Sequence, residues 1–285
     1  MQENKSSWKS CGLRRICTIS LGIFAAITFA RATEEPTQQL ATPSGTVYRN
    51  IAGRDLRVFE FPPQAASGSA QPAILFVQGG AWTRGSPEQL FRSARYFSDK
   101  GFVSVVLEYR LADATNSPVE SFSDVCHALA FMRKNAEKLG IAPSRIALWG
   151  ISSSGQLVAS AATVGCNSVD GSTGNDGPDA LLLVSPVVDA VADGLFRDLM
   201  KGHGKPSSFS PMHTLTNRIA PTLIMQGDVD KTTPIDRSRA FCDRARSVAS
   251  HCELIALAGQ GHVLDKSARD QVLDRQARFL RELWK

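Results

Sequence analysis

From about residue 46 onward, short apolar or β-branched runs alternate with amphipathic stretches. The runs are Thr46–Asn50, Arg54–Phe61, Pro72–Gln78, Phe102–Tyr109, Arg145–Trp149, Ala180–Ser185, Pro221–Gln226 and Glu253–Leu257. Several, such as AILFV and FVSVVLEY, are apolar at successive positions, the pattern of strands buried from both sides in a parallel sheet. Gly53, between the first two runs, predicts a turn joining a leading pair of strands. The stretches Pro87–Asp99, Val119–Leu139, Gly155–Thr163, Ile235–Ser247 and Lys266–Trp284 read as helices. Within the second, Phe122, Val125, Cys126, Leu129, Ala130 and Met132 step mainly by three and four and form one sheet-facing stripe. This alternation predicts an α/β fold with a mostly parallel eight-stranded sheet, right-handed crossovers and helices on both faces. Ligands in such sheets collect at the carboxyl ends of the strands, so the residues just after each strand are where chemistry is expected.

Two segments interrupt the alternation. Gly165–Pro178 is rich in Gly, Asp and Ser and reads as a surface loop, whereas the longer stretch at about 187–219 is expected to be a small lid insertion over the strand ends. Ahead of the first strand, Lys5, Lys9, Arg14 and Arg15 precede an apolar run from Ile16 to Ala30, and Ala30-Arg31-Ala32 supplies small residues for cleavage. Residues 1–32 therefore read as a signal peptide, 33–45 as a linker and 46–285 as the folded domain. A twin-arginine leader, from Arg14-Arg15, and an uncleaved anchor are the alternatives. All three place the domain outside the cytoplasm, periplasmic or extracellular, and cleavage leaves no stable membrane association.

The leader also corrects the charge. The 285 residues hold 32 Lys and Arg against 27 Asp and Glu, a net +5, but residues 1–32 carry five of the bases and only Glu3. The remainder has 27 basic and 26 acidic residues, with no basic stripe of the kind that binds nucleic acid. Removing the leader takes Cys11 and Cys17 with it and leaves Cys126, Cys166, Cys242 and Cys252. Four cysteines in an exported chain allow three pairings, or four buried free thiols. A helix-turn-strand staple between Cys242 and Cys252 is easy, which favours that pair together with Cys126–Cys166. No CxxC pair occurs and the histidines sit apart from the cysteines, so no metal site is expected.

The strongest chemical signal follows the strand Arg145–Trp149. In Gly150-Ile151-Ser152-Ser153-Ser154-Gly155 a serine stands at a strand-to-helix turn, the position that exposes a hydroxyl as a nucleophile. Ser152 fits that position; Ser153 and Ser154 are residues that also serve as helix caps. After another strand, Gln78-Gly79-Gly80-Ala81-Trp82 offers backbone N–H groups that, with that of Ser153, can hold an oxyanion. Gly227-Asp228-Val229-Asp230 places two carboxylates at a strand end; Asp230 is the better placed to orient a histidine, and Asp228 reads as a turn former. His262, in Gly259-Gln260-Gly261-His262, is the one histidine of five on a loop after the last strand; His127, His203, His213 and His251 read as structural or solvent-facing.

Together these motifs resemble the α/β-hydrolase superfamily, and within it the esterase/lipase branch related to hormone-sensitive lipase, which includes small exported acyl esterases. The similarity runs from about Ala73 to Leu280. It rests on QGGAW at 78–82 (family HGGGW or HGGAW), EYRLA at 108–112 (family DYRLA), GISSSG at 150–155 (family GxSAGG), QGDVDKTTP at 226–234 (family HGxxDxxVP) and GQGH at 259–262. The resemblance implies an α/β-hydrolase fold with nucleophile Ser152, acid Asp230, base His262, and oxyanion amides around Gly79, Gly80, Ala81 and Ser153. No cofactor follows from the sequence. Three departures stand out: Gln78 and Gln226 replace histidines outside the triad, and Ser154 replaces a glycine, adding a side chain expected to narrow the site or slow it. The short N-terminal region ahead of Thr46 favours an open pocket, hence short-chain acyl esters, acetylated carbohydrates among them. A prolyl-oligopeptidase-like serine peptidase and a non-catalytic hydrolase-fold binding protein are the rival readings.

Overall fold

The leading strands, β1 (Gly45–Ile51) and β2 (Arg54–Phe61), pair antiparallel around the turn at Ala52-Gly53. β2 then pairs antiparallel with β4 (Val103–Leu107). From there the sheet is parallel through β3 (Gln71–Val77), β5 (Ile141–Ile151), β6 (Ala180–Val184), β7 (Thr222–Gly227) and β8 (Cys252–Leu257). The spatial order is β1-β2-β4-β3-β5-β6-β7-β8. This computed structural model describes residue 43 and residues 45–64, 69–167 and 177–285. The expected leader at 1–32, nearly all of the linker at 33–45, and residues 168–176 of the expected loop lie outside the described residues. One compact unit extends from Thr42 to Lys285.

The period-two alternation of the central strands divides the core. Ala73, Leu75 and Val77 of β3 face one cluster, and Ile74 and Phe76 face the other. The first cluster is covered by α2 (Pro118–Lys134), α4 (Ser153–Thr163) and α7 (Ile235–Ser247), through Phe122, Leu129, Leu157 and Phe241. On the other face lie α1 (Phe91–Asp99) and α8 (Lys266–Leu283), contributing Phe97, Val272 and Phe279. Each of these side chains is buried, which is why both faces of the central strands are apolar.

Some elements differ from their sequence pattern. The expected helix at 119–139 is broken: α2 stops at Lys134 and α3 is the single turn Ala136–Leu139. Asn135 stands at the break, its backbone N–H and its side-chain Nδ2 both donating to Phe131 O, at 3.0 and 2.8 Å. Pro87–Leu90 is a 3-10 turn ahead of α1. β5 starts at Ile141, ahead of the apolar signal, because Ile141 pairs with Gln71 across a register shift. The segment 187–219, expected as a lid, folds into short turns that include α5 (Gly194–Leu199) and α6 (Pro211–Thr214). Phe196, Met200 and Leu215 are buried in the core on the α2/α4 side, Phe196 against Trp82 of the loop after β3.

Cys126–Cys166 and Cys242–Cys252 form disulfides. The first ties α2 to the chain just beyond α4, the second ties α7 to the start of β8. Their sequence separations are 40 and 10 residues, so loop-closure entropy gives about 4 and about 3 kcal/mol respectively. Urea unfolding of Cys126→Ala/Cys166→Ala should therefore show the larger loss of stability, and Cys242→Ala/Cys252→Ala the smaller. The reverse order would show that native-state strain or residual unfolded structure outweighs loop length.

Candidate active site

At the end of β5 the chain turns sharply into α4. Ser152 sits at that turn with φ 55° and ψ −121°, a conformation disfavoured for any residue with a side chain. Bonds on both sides hold it there. Its N–H donates to Val184 O at 3.0 Å, and its carbonyl accepts from Gly155 N and Val187 N at 3.0 and 2.9 Å. Ser154 adds to the restraint: its hydroxyl accepts from Ile151 N at 2.9 Å and lies 2.7 Å from Val77 O, bridging the ends of β5 and β3. Fully buried and pointing away from the cavity, Ser154 therefore does not narrow the site as its sequence position suggested.

The loop after β3 passes close beside this turn. A Cβ on Gly79 would stand 2.6 Å from Ile151 O and 3.4 Å from Ser152 Cβ, so no larger residue fits without moving the backbone. The EYRLA segment fixes the loop from behind. Tyr109 donates its hydroxyl to Gln78 O at 2.9 Å, Ala112 N donates to Trp82 O at 2.9 Å, and Trp82 Nε1 donates to Gln156 Oε1 on α4 at 2.9 Å. Arg110 is locked in turn onto the buried carboxylate of Asp124 on α2, with Nε–Oδ2 2.8 Å and Nη2–Oδ1 2.9 Å. Gly79, Gly80, Ala81 and Ser152 line one wall of a cavity of about 600 Å³. Gln78 is buried behind that wall, its Oε1 without a partner.

His262 arrives on the loop after β8. Its approach depends on Gly227, where a Cβ would lie 2.1 Å from Gln260 O. Asp228 accepts from Gly259 N at 2.8 Å, a turn contact as its sequence position implied. His262 Nε2 lies 2.9 Å from Ser152 Oγ, and His262 Nδ1 lies 2.9 Å from Asp230 Oδ2. Three residues scattered over more than a hundred positions thus meet at one edge of the sheet. The other histidines stand elsewhere: His127 Nδ1 lies 2.8 Å from Ser123 O, His213 is beside Ser210 and Asp189, and His251 stacks on Phe279.

One participant was missed in the sequence pattern. Thr233 Oγ1 lies 2.7 Å from Asp230 Oδ2 and 3.2 Å from His262 Nδ1, and the Thr233 N–H donates to Asp230 Oδ1 at 2.9 Å. The signal was present in QGDVDKTTP, where Thr233 takes the place of valine in HGxxDxxVP. The cavity continues from Ser152 over Trp149, Ile151, Val184 and Leu264 toward Leu273, with Arg84, Arg92 and Arg269 at its polar edge. No residue of 187–219 contributes to its wall.

A family model described as BD-FAE matches residues 61–203, just over half of the chain. The chain belongs to the BD-FAE family. This BD-FAE chain is also 28% identical over 225 residues to esterase LipC of Mycobacterium tuberculosis, across 68% of its own length and 53% of LipC. It is 24% identical to isoprenylcysteine alpha-carbonyl methylesterase ICME of Arabidopsis thaliana, across 67% of its length and 50% of the relative. It thus spans about half the length of these two curated relatives. Among solved structures, the propionate-bound esterase Est2 of Thermogutta terrifontis superposes with a TM-score of 0.78 at 25% identity, covering 86% of this chain and 96% of Est2. The fold is that of the α/β-hydrolases, in the esterase/lipase branch.

Asp230 is the electrostatic centre of the site. Burial pushes its carboxyl up, but the Thr233 N–H, the His262 ring and the Thr233 hydroxyl more than offset this and hold it below the ordinary value of 3.8. A carboxyl depressed in the folded state stabilises the fold fully above its unfolded value, near pH 4, and loses that contribution as pH falls through the folded value. Below pH 4 the unfolding free energy of Asp230→Asn should accordingly vary less steeply with pH than that of the wild type. Urea denaturation at stepped pH measures this, and equal slopes would count against the depressed carboxyl.

Proposed function

We propose that this chain is a serine carboxylesterase acting on small, short-chain acyl esters, acetylated carbohydrates among them, through an acyl-enzyme intermediate. The observation that carries the reading is the continuous contact from Ser152 Oγ through His262 to Asp230 at the mouth of a largely apolar cavity. In the proposed cycle His262 Nε2 takes the proton of Ser152 as Oγ attacks the ester carbonyl carbon. Asp230 holds the ring and stabilises its cation. The backbone N–H groups around Gly79, Gly80, Ala81 and Ser153 receive the oxyanion, His262 returns the proton to the departing alcohol, and water repeats the sequence to release the acid.

Several further features support this reading. Family membership and the esterase relatives favour ester bonds over peptide bonds, and Est2, with its propionate, supports a short acyl group. A volume of about 600 Å³ falls within the usual range for small-molecule sites. The intact serine, histidine and aspartate weigh against a binding protein that has lost catalysis. For location, we propose export: residues 1–32 have a leader's composition, and two disulfides suit an oxidising compartment. Among the described residues no helix is long and apolar enough to cross a membrane. Residues 46–285 would then be the working domain.

Fluorophosphonate treatment followed by peptide mapping should label Ser152 in the wild type and leave Ser152→Ala unlabelled. The substitution should also lower kcat on p-nitrophenyl acetate and butyrate by a factor on the order of 10⁴ or more. Labelling at another serine, or turnover by Ser152→Ala equal to wild type, would overturn the assignment. Rates that fall from acetate and butyrate to octanoate are expected for a short-chain enzyme; a rising series would reject the acyl length.

A further inference from the structure

Two family positions that differ in this chain touch each other behind the acid. Gln226 stands where the family motif has histidine, and Thr233 where it has valine. Both are buried, Gln226 completely. Gln226 Nε2 donates to Thr233 O, its Oε1 accepts from Ser238 Oγ at 2.6 Å, and Thr233 Oγ1 lies 3.4 Å from Gln226 Nε2. The Thr233 hydroxyl has one proton and two acceptors in reach, Asp230 Oδ2 at 2.7 Å and Ser185 O at 3.1 Å. The shorter contact is to the charged oxygen, where a hydrogen bond is stronger.

From this geometry we infer that Thr233, held by Gln226, is a positioning residue that donates to the same carboxylate oxygen that receives His262 Nδ1–H, and so sets both the direction and the basicity of the acid. This inference rests on the serine esterase reading. A valine in that place has nearly the same shape and offers no donor. With valine, Asp230 Oδ2 would keep only the histidine, become more basic and hold the imidazolium more strongly. The ring would also lose the hydroxyl that lies 3.2 Å from Nδ1. The arrangement in this chain therefore tempers the acid and restrains it, using a neutral group. Other charged groups near the pair are turned elsewhere or stand across the cavity. Asp228 accepts from Gly259 N–H, Asp265 caps α8 and accepts from Gln260 Nε2, Lys231 is exposed, and Arg84, Arg269 and Asp270 lie along the cavity edge. His262 is the titratable side chain in contact with Asp230.

The test compares wild type, Thr233→Val and Thr233→Ser on p-nitrophenyl butyrate from pH 5 to 9, with thermal unfolding of each. Thr233→Val should lower kcat about tenfold with KM within about twofold, since the lost bond is to a charged group and touches no substrate. The acid limb of its kcat/KM profile should move up by about half a pH unit. Thr233→Ser, which keeps the hydroxyl, should restore both. A merely structural role for Thr233 would change the unfolding temperature and leave the acid limb in place. A Thr233→Val profile superimposed on wild type, or a Thr233→Ser enzyme as impaired as the valine variant, would overturn the inference. Should the valine variant not fold, Gln226→Leu is read on the same profile, where a smaller upward move supports the inference and none overturns it. The two readings fail separately. Wild type that neither turns over the ester nor takes the fluorophosphonate sinks the esterase assignment, whereas an active wild type matched by Thr233→Val sinks this inference alone.

Discussion

The closeness with which the loop after β3 passes the turn after β5 fixes the backbone around the nucleophile. These strands are parallel neighbours, so their carboxyl ends open on the same edge of the sheet. Gly79 then lies against Ile151 and Ser152 with no room for a side chain. The strained backbone of Ser152 is stable only because neighbouring strands and loops bind both its amide and its carbonyl. The EYRLA segment acts on the opposite side of the same loop, with Tyr109 and Ala112 as its ties and Asp124 as their buried anchor.

The central strands were legible because double burial demands apolar side chains at successive positions, and β3, β4, β6 and β7 meet that demand along nearly their whole length. Ser152, Asp230 and His262 were legible because each stands just beyond a strand, where the topology of an α/β sheet gathers its loops. The two disulfides follow the pairing that the geometry of α7 and β8 favoured. Less could be read where polar side chains rather than periodicity decide the outcome. α2 ends at Asn135, whose side chain adds a second bond to Phe131 O, and nothing in the apolar stripe announces it. The segment 187–219 has the length of a covering insertion, but its destination is set by Phe196, Met200 and Leu215, which find a core to join.

Departures from a family pattern proved informative in unequal ways. Ser154 looked like an intrusion at the nucleophile, and its hydroxyl is instead a brace between two strand ends. Gln226 stood outside the triad in the sequence pattern, yet its amide reaches Thr233 and, through it, the acid. The difference lies in direction: sequence position gives the neighbourhood of a side chain, while the hydrogen bond it makes depends on which buried acceptors lack a partner. Gln78 is a contrasting case, since its Oε1 remains unpaired behind the loop.

Trp149 belongs to β5, and its indole forms part of the cavity wall while Nε1 is held at 2.8 Å from Gln276 Oε1 on α8. A rigid indole lining the cavity is an optical probe placed by the fold itself. Its emission responds to the polarity of the medium, so replacing water there by an acyl chain should shift the spectrum without any attached dye. The protein thereby offers a signal for occupancy independent of turnover, useful with esters that release no coloured product.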